Sequence, residues 1–140
     1  MRPTVLSLAV AAAVVAVACG RGGPTTEAGG PPPEGPAAQP FPDVVDVEVT
    51  PTGERTYRFS VTLSSPYDSE ERYADAWRVV GPDGAEYGVR PLAHPHAGEQ
   101  PFTRSLDGIR VPEGVDRVTV EGRDKENGYG GETVTVDIPS

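Results

Sequence analysis

Apolar and polar residues alternate in short stretches over the last hundred residues of the chain. Val45, Val47 and Val49 alternate with acidic residues, and the apolar members of residues 57–63 alternate with Arg, Ser and Thr. Successive side chains of a strand point to opposite faces, so each stretch predicts a strand with one apolar face. Five further stretches continue the pattern, at residues 73–80, 86–90, 102–111, 115–121 and 132–138.

Residues typical of turns separate these predicted strands, at 51–54, 81–84 and 123–131. About seven strands at this spacing predict an all-β fold, an immunoglobulin-like two-sheet sandwich over residues 43–140. Trp77, on the third strand, stands where such a core holds a large aromatic side chain. The cysteine pair of antibody domains is missing from the sequence.

The first 18 residues predict a signal peptide. Arg2 is their only charged residue, and residues 5–18 are an uninterrupted run of Val, Leu, Ala and Ser. A membrane-spanning helix needs about 20 apolar residues, so this run is too short to be a stable transmembrane anchor.

The end of the run, Ala16-Val17-Ala18-Cys19-Gly20, resembles the lipobox of bacterial lipoproteins. The resemblance implies that Cys19 carries lipid and becomes the mature N-terminus of an exported protein held at a membrane of the cell envelope. The alternative is an ordinary signal peptide that ends in Cys by chance. Cys19 is the only cysteine, so the predicted domain has no thiol for disulfides, for nucleophilic catalysis or for zinc.

Residues 19–42 predict a tether between the lipid and the domain. Residues 20–42 contain 13 Gly or Pro and almost nothing apolar before Phe41. Such a composition cannot bury enough surface to fold by itself.

The charge of the chain is strongly negative, with 21 acidic and 12 basic residues and a formal net charge of −9. An acidic surface repels nucleic acid and anionic lipid headgroups. We therefore expect no nucleic-acid partner, and we expect a monomer that contacts an envelope protein or a glycan.

Several segments resemble a group of small exported acidic proteins of bacteria and haloarchaea to which no activity is assigned. The resemblance covers roughly residues 73–138 and implies a shared domain without implying a function. Its motifs are residues 77–79, 81–84, 92–96, 99–105 and 128–133.

His94 and His96, separated by Pro95, are the sharpest candidates for chemistry. In an extended backbone both imidazoles project to the same side, and Glu99 could add a third ligand for zinc. Copper could bind through the same nitrogen ligands. The alternative is a loop in which Pro95 fixes the backbone and the histidines form hydrogen bonds or face solvent.

Two acidic runs are weaker candidates for calcium, because pooled loop oxygens could reach its six to eight ligands. Neither run has the spacing of a known calcium loop, so solvated loops are the favoured interpretation. The runs are Asp68, Glu70, Glu71 and Asp75, and Asp124, Glu126 and Asn127.

Tyr129 lies between glycines in the predicted loop 126–131, where a flexible backbone could present its ring to a partner. The alternative is a hairpin turn with the ring folded over the sheet edge.

Arg104 alternates in phase with Phe102 and Leu106, which predicts a side chain on the core side with Asp75 as its partner. The alternative is that Arg104 is exposed.

No motif of nucleophilic catalysis is present, since the chain lacks a Gly-x-Ser-x-Gly elbow and a domain cysteine, and a small sandwich without an evident cleft disfavours a catalytic pair of carboxylates. The sequence therefore predicts a membrane-tethered binding or accessory module rather than an enzyme. The alternative function is an extracytoplasmic zinc- or copper-binding protein that uses His94 and His96.

Overall fold

A computed structural model describes residues 39–140, so the predicted signal peptide, Cys19 and most of the predicted tether lie outside the described residues. The described part is built from seven strands and contains no helix. Consequently, no helix within it is long and apolar enough to cross a membrane. The strands are β1 (Asp43–Gly53), β2 (Thr56–Ser64), β3 (Ala74–Val80), β4 (Glu86–Pro91), β5 (Phe102–Arg110), β6 (Arg117–Asp124) and β7 (Gly128–Asp137).

The strands form two antiparallel sheets, one with the order β1-β2-β5 and one with the order β4-β3-β6-β7. The predicted all-β sandwich of seven strands is thus confirmed. The fourth strand pairs with β3, whereas in the constant-type immunoglobulin domain it lies in the other sheet. The immunoglobulin-like assignment itself stays a prediction.

The core lies between the two sheets and forms one cluster of buried apolar side chains. Trp77 is completely buried on the third strand, where the sequence predicted a large aromatic side chain. The larger buried side chains around it are Phe59, Leu63, Val79, Phe102, Ile109, Val118 and Val120.

A β-bulge in β1 changes which of its valines reach the core. The pairing with β2 passes from Val44 to Asp46 and skips Val45. Val44 is therefore buried and Val45 is 51% exposed, although the alternation placed Val45 on the apolar face. An extra residue in one strand shifts the side-chain phase by one, so the prediction for Val45 was wrong while Val47 packs against the core.

The strands β6 and β7 extend further toward their connecting turn than the sequence predicted. The connection expected at residues 123–131 shrinks to the three residues between Asp124 and Gly128. Gly128 and Gly131 both have φ near +80°, a conformation that most side chains resist. Gly128 follows the turn, and Gly131 lies in β7, whose pairing with β6 is irregular. Hydrophobic periodicity alone did not predict that these glycines belong to a strand.

Residues 39–42 precede β1 and pack on the domain. Pro42 is buried, and a Cβ on Gly122 would lie 2.8 Å from its ring. Phe41 similarly covers Gly130 of β7. The side chain of Gln39 donates to the Ser64 carbonyl oxygen at 3.2 Å, so the chain enters the sandwich beside the end of β2.

Three loops meet at this same end, which we call the loop end: residues 65–73, 92–101 and 125–127. The Ser65 N–H donates to the Gln100 side chain at 2.7 Å, and the Lys125 N–H donates to the Tyr73 carbonyl at 3.0 Å. These bonds tie each loop to its neighbour.

Candidate functional site

A small pocket opens between β4 and β5, the facing edge strands of the two sheets. Its volume is about 130 Å³, and we call it the β4–β5 pocket. The strands approach closely because Gly88 has no side chain: a Cβ there would lie 3.0 Å from Ile109. The pocket is lined by Arg90, Pro91, Leu92, Ala93, His94, His96 and Arg104.

The loop that forms this pocket is held by a buried carboxylate. Asp68 accepts hydrogen bonds from the backbone N–H groups of Ala74 at 3.0 Å and His96 at 2.9 Å. Its side chain is shielded from solvent, so both bonds lie in a low-dielectric interior. Asp68 thus fixes the loop 92–101 to the start of β3, and its carboxylate oxygens are already occupied by donors.

His96 is a core residue of the loop end. Its ring stacks on Phe102 with centroids 4.0 Å apart, and the residue is 5% exposed. Its Nδ1 lies 4.0 Å from Asp68 Oδ2 and has no hydrogen-bond partner among residues 39–140. Burial, together with the nearby Arg104 and His94, lowers the pKa of His96 below its usual value, so the imidazole is neutral near pH 7.

His94 and His96 do lie side by side, with ring centroids 4.6 Å apart. Glu99 does not join them, because its carboxylate pairs with Arg104 at 2.9 Å. That guanidinium lowers the pKa of Glu99. Within the described residues, no three His, Cys, Asp or Glu side chains converge to hold a metal ion, so the predicted zinc or copper site lacks support.

Arg104 and Asp75 do not form the predicted pair. Asp75 belongs to β3 and lies 3.6 Å from Arg123 of the neighbouring β6, whereas Arg104 belongs to the other sheet and binds Glu99. A register shift between Ala74 and Ala76 changes the phase of β3 at Asp75, which the alternation did not anticipate. Burial raises the pKa of Asp75 despite the opposing charge of Arg123.

Arg90 is the residue of this pocket that sequence reasoning missed. Its Nε is buried without a hydrogen-bond partner, and no carboxylate of the described residues forms an ion pair with its guanidinium. In the alternation of β4, Arg90 follows Val89 as an ordinary outward-facing residue. Nothing in the sequence indicated that the edge of β5 would lie against it.

Two residues of the acidic runs considered for calcium, Asp68 and Asp124, are buried. Asp124 is completely buried and accepts hydrogen bonds from the Glu126 and Asn127 N–H groups at 3.0 and 2.9 Å. It also pairs with Arg72 at 3.1 Å. Burial alone would raise the pKa of Asp124, but the Tyr67 hydroxyl, the Asn127 N–H and the Arg72 guanidinium outweigh it and hold the pKa below its usual value.

Tyr129 lies in β7 rather than in the predicted loop. It is paired with Arg123 across the hairpin, and the Arg78 guanidinium lies 3.8 Å from its ring centroid. The ring is therefore half-buried on the outer face of the four-stranded sheet, where Arg78 also pairs with Glu121 at 2.8 Å.

A larger cavity of about 340 Å³ lies at the opposite end, lined by two arginines and two glutamates among others. There Arg55 has φ of +49° and its guanidinium donates to the carbonyl oxygens of Val111, Pro112 and Val115. These bonds fasten the β1–β2 turn to the connection before β6. Because Arg55 is satisfied by backbone, we take the β4–β5 pocket as the candidate site.

No protein-family model matches the chain. A curated relative from Halomicrobium mukohataei, named "Putative lipoprotein", is 46% identical over 98 residues, which make up 70% of this chain and 48% of the relative. The chain thus spans about half the length of the curated relative it matches. The match supports the predicted resemblance to a haloarchaeal lipoprotein group.

Among solved structures, a superoxide reductase from Giardia intestinalis matches 69% of this chain and 99% of its own with a TM-score of 0.41 and 14% identity. A similarity at this level carries no argument about fold or activity.

Proposed function

We propose that this protein is an exported lipoprotein whose β-sandwich acts as a binding module of the cell envelope, working by binding rather than by catalysis. Support for the anchor comes from the lipobox-like sequence around Cys19 and from the name of the Halomicrobium mukohataei relative. Support for the binding role comes chiefly from one observation. The β4–β5 pocket is lined in part by the loop 92–101, which Asp68 fixes to the start of β3, so the shape of the pocket is set before a ligand arrives.

We further propose that the sandwich is of the immunoglobulin-like class. The buried Trp77 on β3 and the central β3–β6 pair of the four-stranded sheet support this assignment. In such domains, loops at one end of the sandwich commonly carry recognition, and the loop end has this position here.

Replacement of Cys19 tests the anchor. Because two acyl chains give stable membrane attachment, Cys19→Ser should move the protein from the membrane fraction to the soluble fraction. Metabolic labelling with a radioactive fatty acid should mark the wild-type chain and leave the variant unmarked. A variant that stays with membranes after a high-salt wash would contradict the lipid anchor.

Binding to cell envelopes tests the module. Radiolabelled Cys19→Ser protein should sediment with envelopes of the producing cells in a saturable manner. Asp68→Ala should weaken this binding, because the loop loses its bonds to Ala74 and His96. Asp107→Ala is the matched control, since Asp107 forms an exposed pair with Arg58 on β2. Sedimentation that rises in proportion to concentration, without saturation, would refute the binding role.

A further inference from the structure

The β4–β5 pocket is a cationic site in an acidic protein. Two arginines, Arg90 and Arg104, line it beside His94 and the neutral His96, while the whole chain has a net charge of −9. Within the pocket lining itself no acidic residue occurs. A concave surface with charge opposite to that of the protein selects ligands of the sign that the remaining surface repels.

Arg90 supplies the second observation, which is independent of the charge count. Its Nε is buried and makes no hydrogen bond to any described residue. A buried donor without a partner costs free energy, and more so when it belongs to a charged group. An anion in the pocket would give the Arg90 guanidinium the ion-pair partner that it lacks among the described residues, since a guanidinium presents its donors in a fork that matches oxygen pairs.

Glu99 shows which kind of anion fits. Its carboxylate faces Arg104 with both oxygens, Oε2 at 2.9 Å from Nη2 and Oε1 at 3.4 Å from Nη1. The Glu99 side chain is 59% exposed, so it can swing into solvent and leave Arg104 to a ligand. Glu99 thus shows that the Arg104 guanidinium pairs with both oxygens of a carboxylate.

The size of the pocket and the surrounding charge limit the ligand further. About 130 Å³ is well above the roughly 10–15 Å³ that one water needs but below the roughly 300 Å³ of typical small-molecule sites. The pocket therefore holds a terminal group rather than a whole ligand. A monoanion meets less repulsion from the acidic surface than the dianion that phosphate forms.

We propose that the β4–β5 pocket binds the carboxylate of an acidic ligand between Arg90 and Arg104, with Glu99 as its internal competitor. The inference rests on the proposed binding function and names the chemistry of its ligand. A uronic acid of an envelope glycan and the free C-terminus of a peptide both carry this group.

Titration of ¹⁵N-labelled full-length Cys19→Ser protein tests the proposal by NMR. The probes are D-glucuronate, N-acetyl-alanyl-alanine, acetate and inorganic phosphate. We expect a carboxylate probe to shift the amide signals of residues 92–96 with saturation, and a comparison of glucuronate with the dipeptide separates the two sources. Binding of phosphate without binding of any carboxylate would overturn the assignment.

Two variants sharpen the test. Arg90→Gln should weaken carboxylate binding at least about tenfold, and Glu99→Gln should tighten it roughly three- to tenfold because Arg104 loses its competitor. Arg117→Gln and Asp137→Asn change the net charge by the same amounts in an exposed pair of β6 and β7, and they should leave binding unchanged. Equal affinities in wild type and both pocket variants would refute the proposal.

The outcome is separable from that of the proposed function. If Arg90→Gln protein still sediments with envelopes as wild type does, the carboxylate assignment fails while the binding module stands. If the Cys19→Ser protein does not bind envelopes but its pocket takes a carboxylate, the proposed function fails instead.

Discussion

Asp124 illustrates how one buried carboxylate can organise a turn. Its Oδ2 atom receives the N–H groups of Glu126 and Asn127, the Asn127 amide at 2.9 Å and the Arg72 Nε at 3.2 Å. The sequence presented this residue as part of an acidic loop. Its true role depends on Arg72, which is 52 positions away and was not predicted to be near it.

Asp124→Ala should therefore lower the free energy of unfolding by about 3–5 kcal/mol, because it leaves the largely buried Arg72 guanidinium without its partner. Urea denaturation measures the loss. Asp137→Ala, which breaks the exposed pair with Arg117, should cost less than about 1 kcal/mol. Similar losses in the two variants would contradict a structural role for the buried pair.

His96 should make stability depend on pH. Its pKa in the folded state is below the ordinary value of 6.5, so the unfolded chain binds more protons between the two values. The stability that neutral His96 provides is present above about pH 6.5 and is lost as the pH falls through this window. Burial is the largest cause of the lowered pKa of His96; Arg104 and His94 lower it further, whereas Asp68 and Glu99 oppose the shift.

Urea unfolding between pH 7 and 5 checks this expectation. His96→Phe keeps a ring against Phe102 and removes the titrating group, so its stability should fall less over this range than that of wild type. His94→Gln replaces the exposed neighbour and should retain the pH dependence. If His96→Phe shows the wild-type pH dependence, another group is responsible.

At the scale of elements, periodicity predicted what depends on local sequence and missed what depends on pairing. All seven strands were predicted, because a half-buried strand shows its alternation within about 4–8 residues of local sequence. The bulge at Val45 and the shift at Asp75 were not, since an extra residue in a strand is defined by the partner strand.

The β1 bulge can be tested with adjacent valines. Val44→Ala should lower the free energy of unfolding by about 2 kcal/mol, from roughly 0.8 kcal/mol per buried CH₂ plus a cavity cost. Val45→Ala should change it by less than about 0.5 kcal/mol, because Val45 is 51% exposed. Simple alternation predicts the reverse order, so thermal unfolding of the two variants decides between them.

The candidate site was only partly predictable for the same reason. The sequence placed His94, His96 and Glu99 together because they are neighbours in the chain. It did not place Arg90 opposite Arg104, because these residues meet only when the edges of two sheets face each other. A pocket between sheets has no signature in a single strand.

At the scale of the whole molecule, the net charge of −9 should make stability depend on salt. Like charges repel in the compact state, and the Debye length shortens to about 3 Å at 1 M salt. Raising sodium chloride from about 0.05 M to 1 M should therefore increase the free energy of unfolding measured with urea.

The double variant Glu113→Gln, Asp116→Asn serves as the control, because both residues are exposed and their loss reduces the net charge to −7. It should be more stable than wild type at low salt and gain less from added salt. Stability that decreases with salt would instead show that ion pairs such as Arg78–Glu121 outweigh the general repulsion.

The position of Gln39 has a mechanical consequence. Gln39 donates to the Ser64 carbonyl oxygen. The next residue, Ser65, donates its N–H to the Gln100 side chain of the pocket loop and accepts a bond from the Gln100 amide, so both attachment points share one end of the sandwich. A pulling force applied between the chain before Gln39 and a ligand in the pocket would act at that one end of the sandwich. The force would therefore not run along the length of the strands. The β1–β2 ladder would then open from Asp43 one bond at a time, so a strongly held ligand would peel the domain at low force.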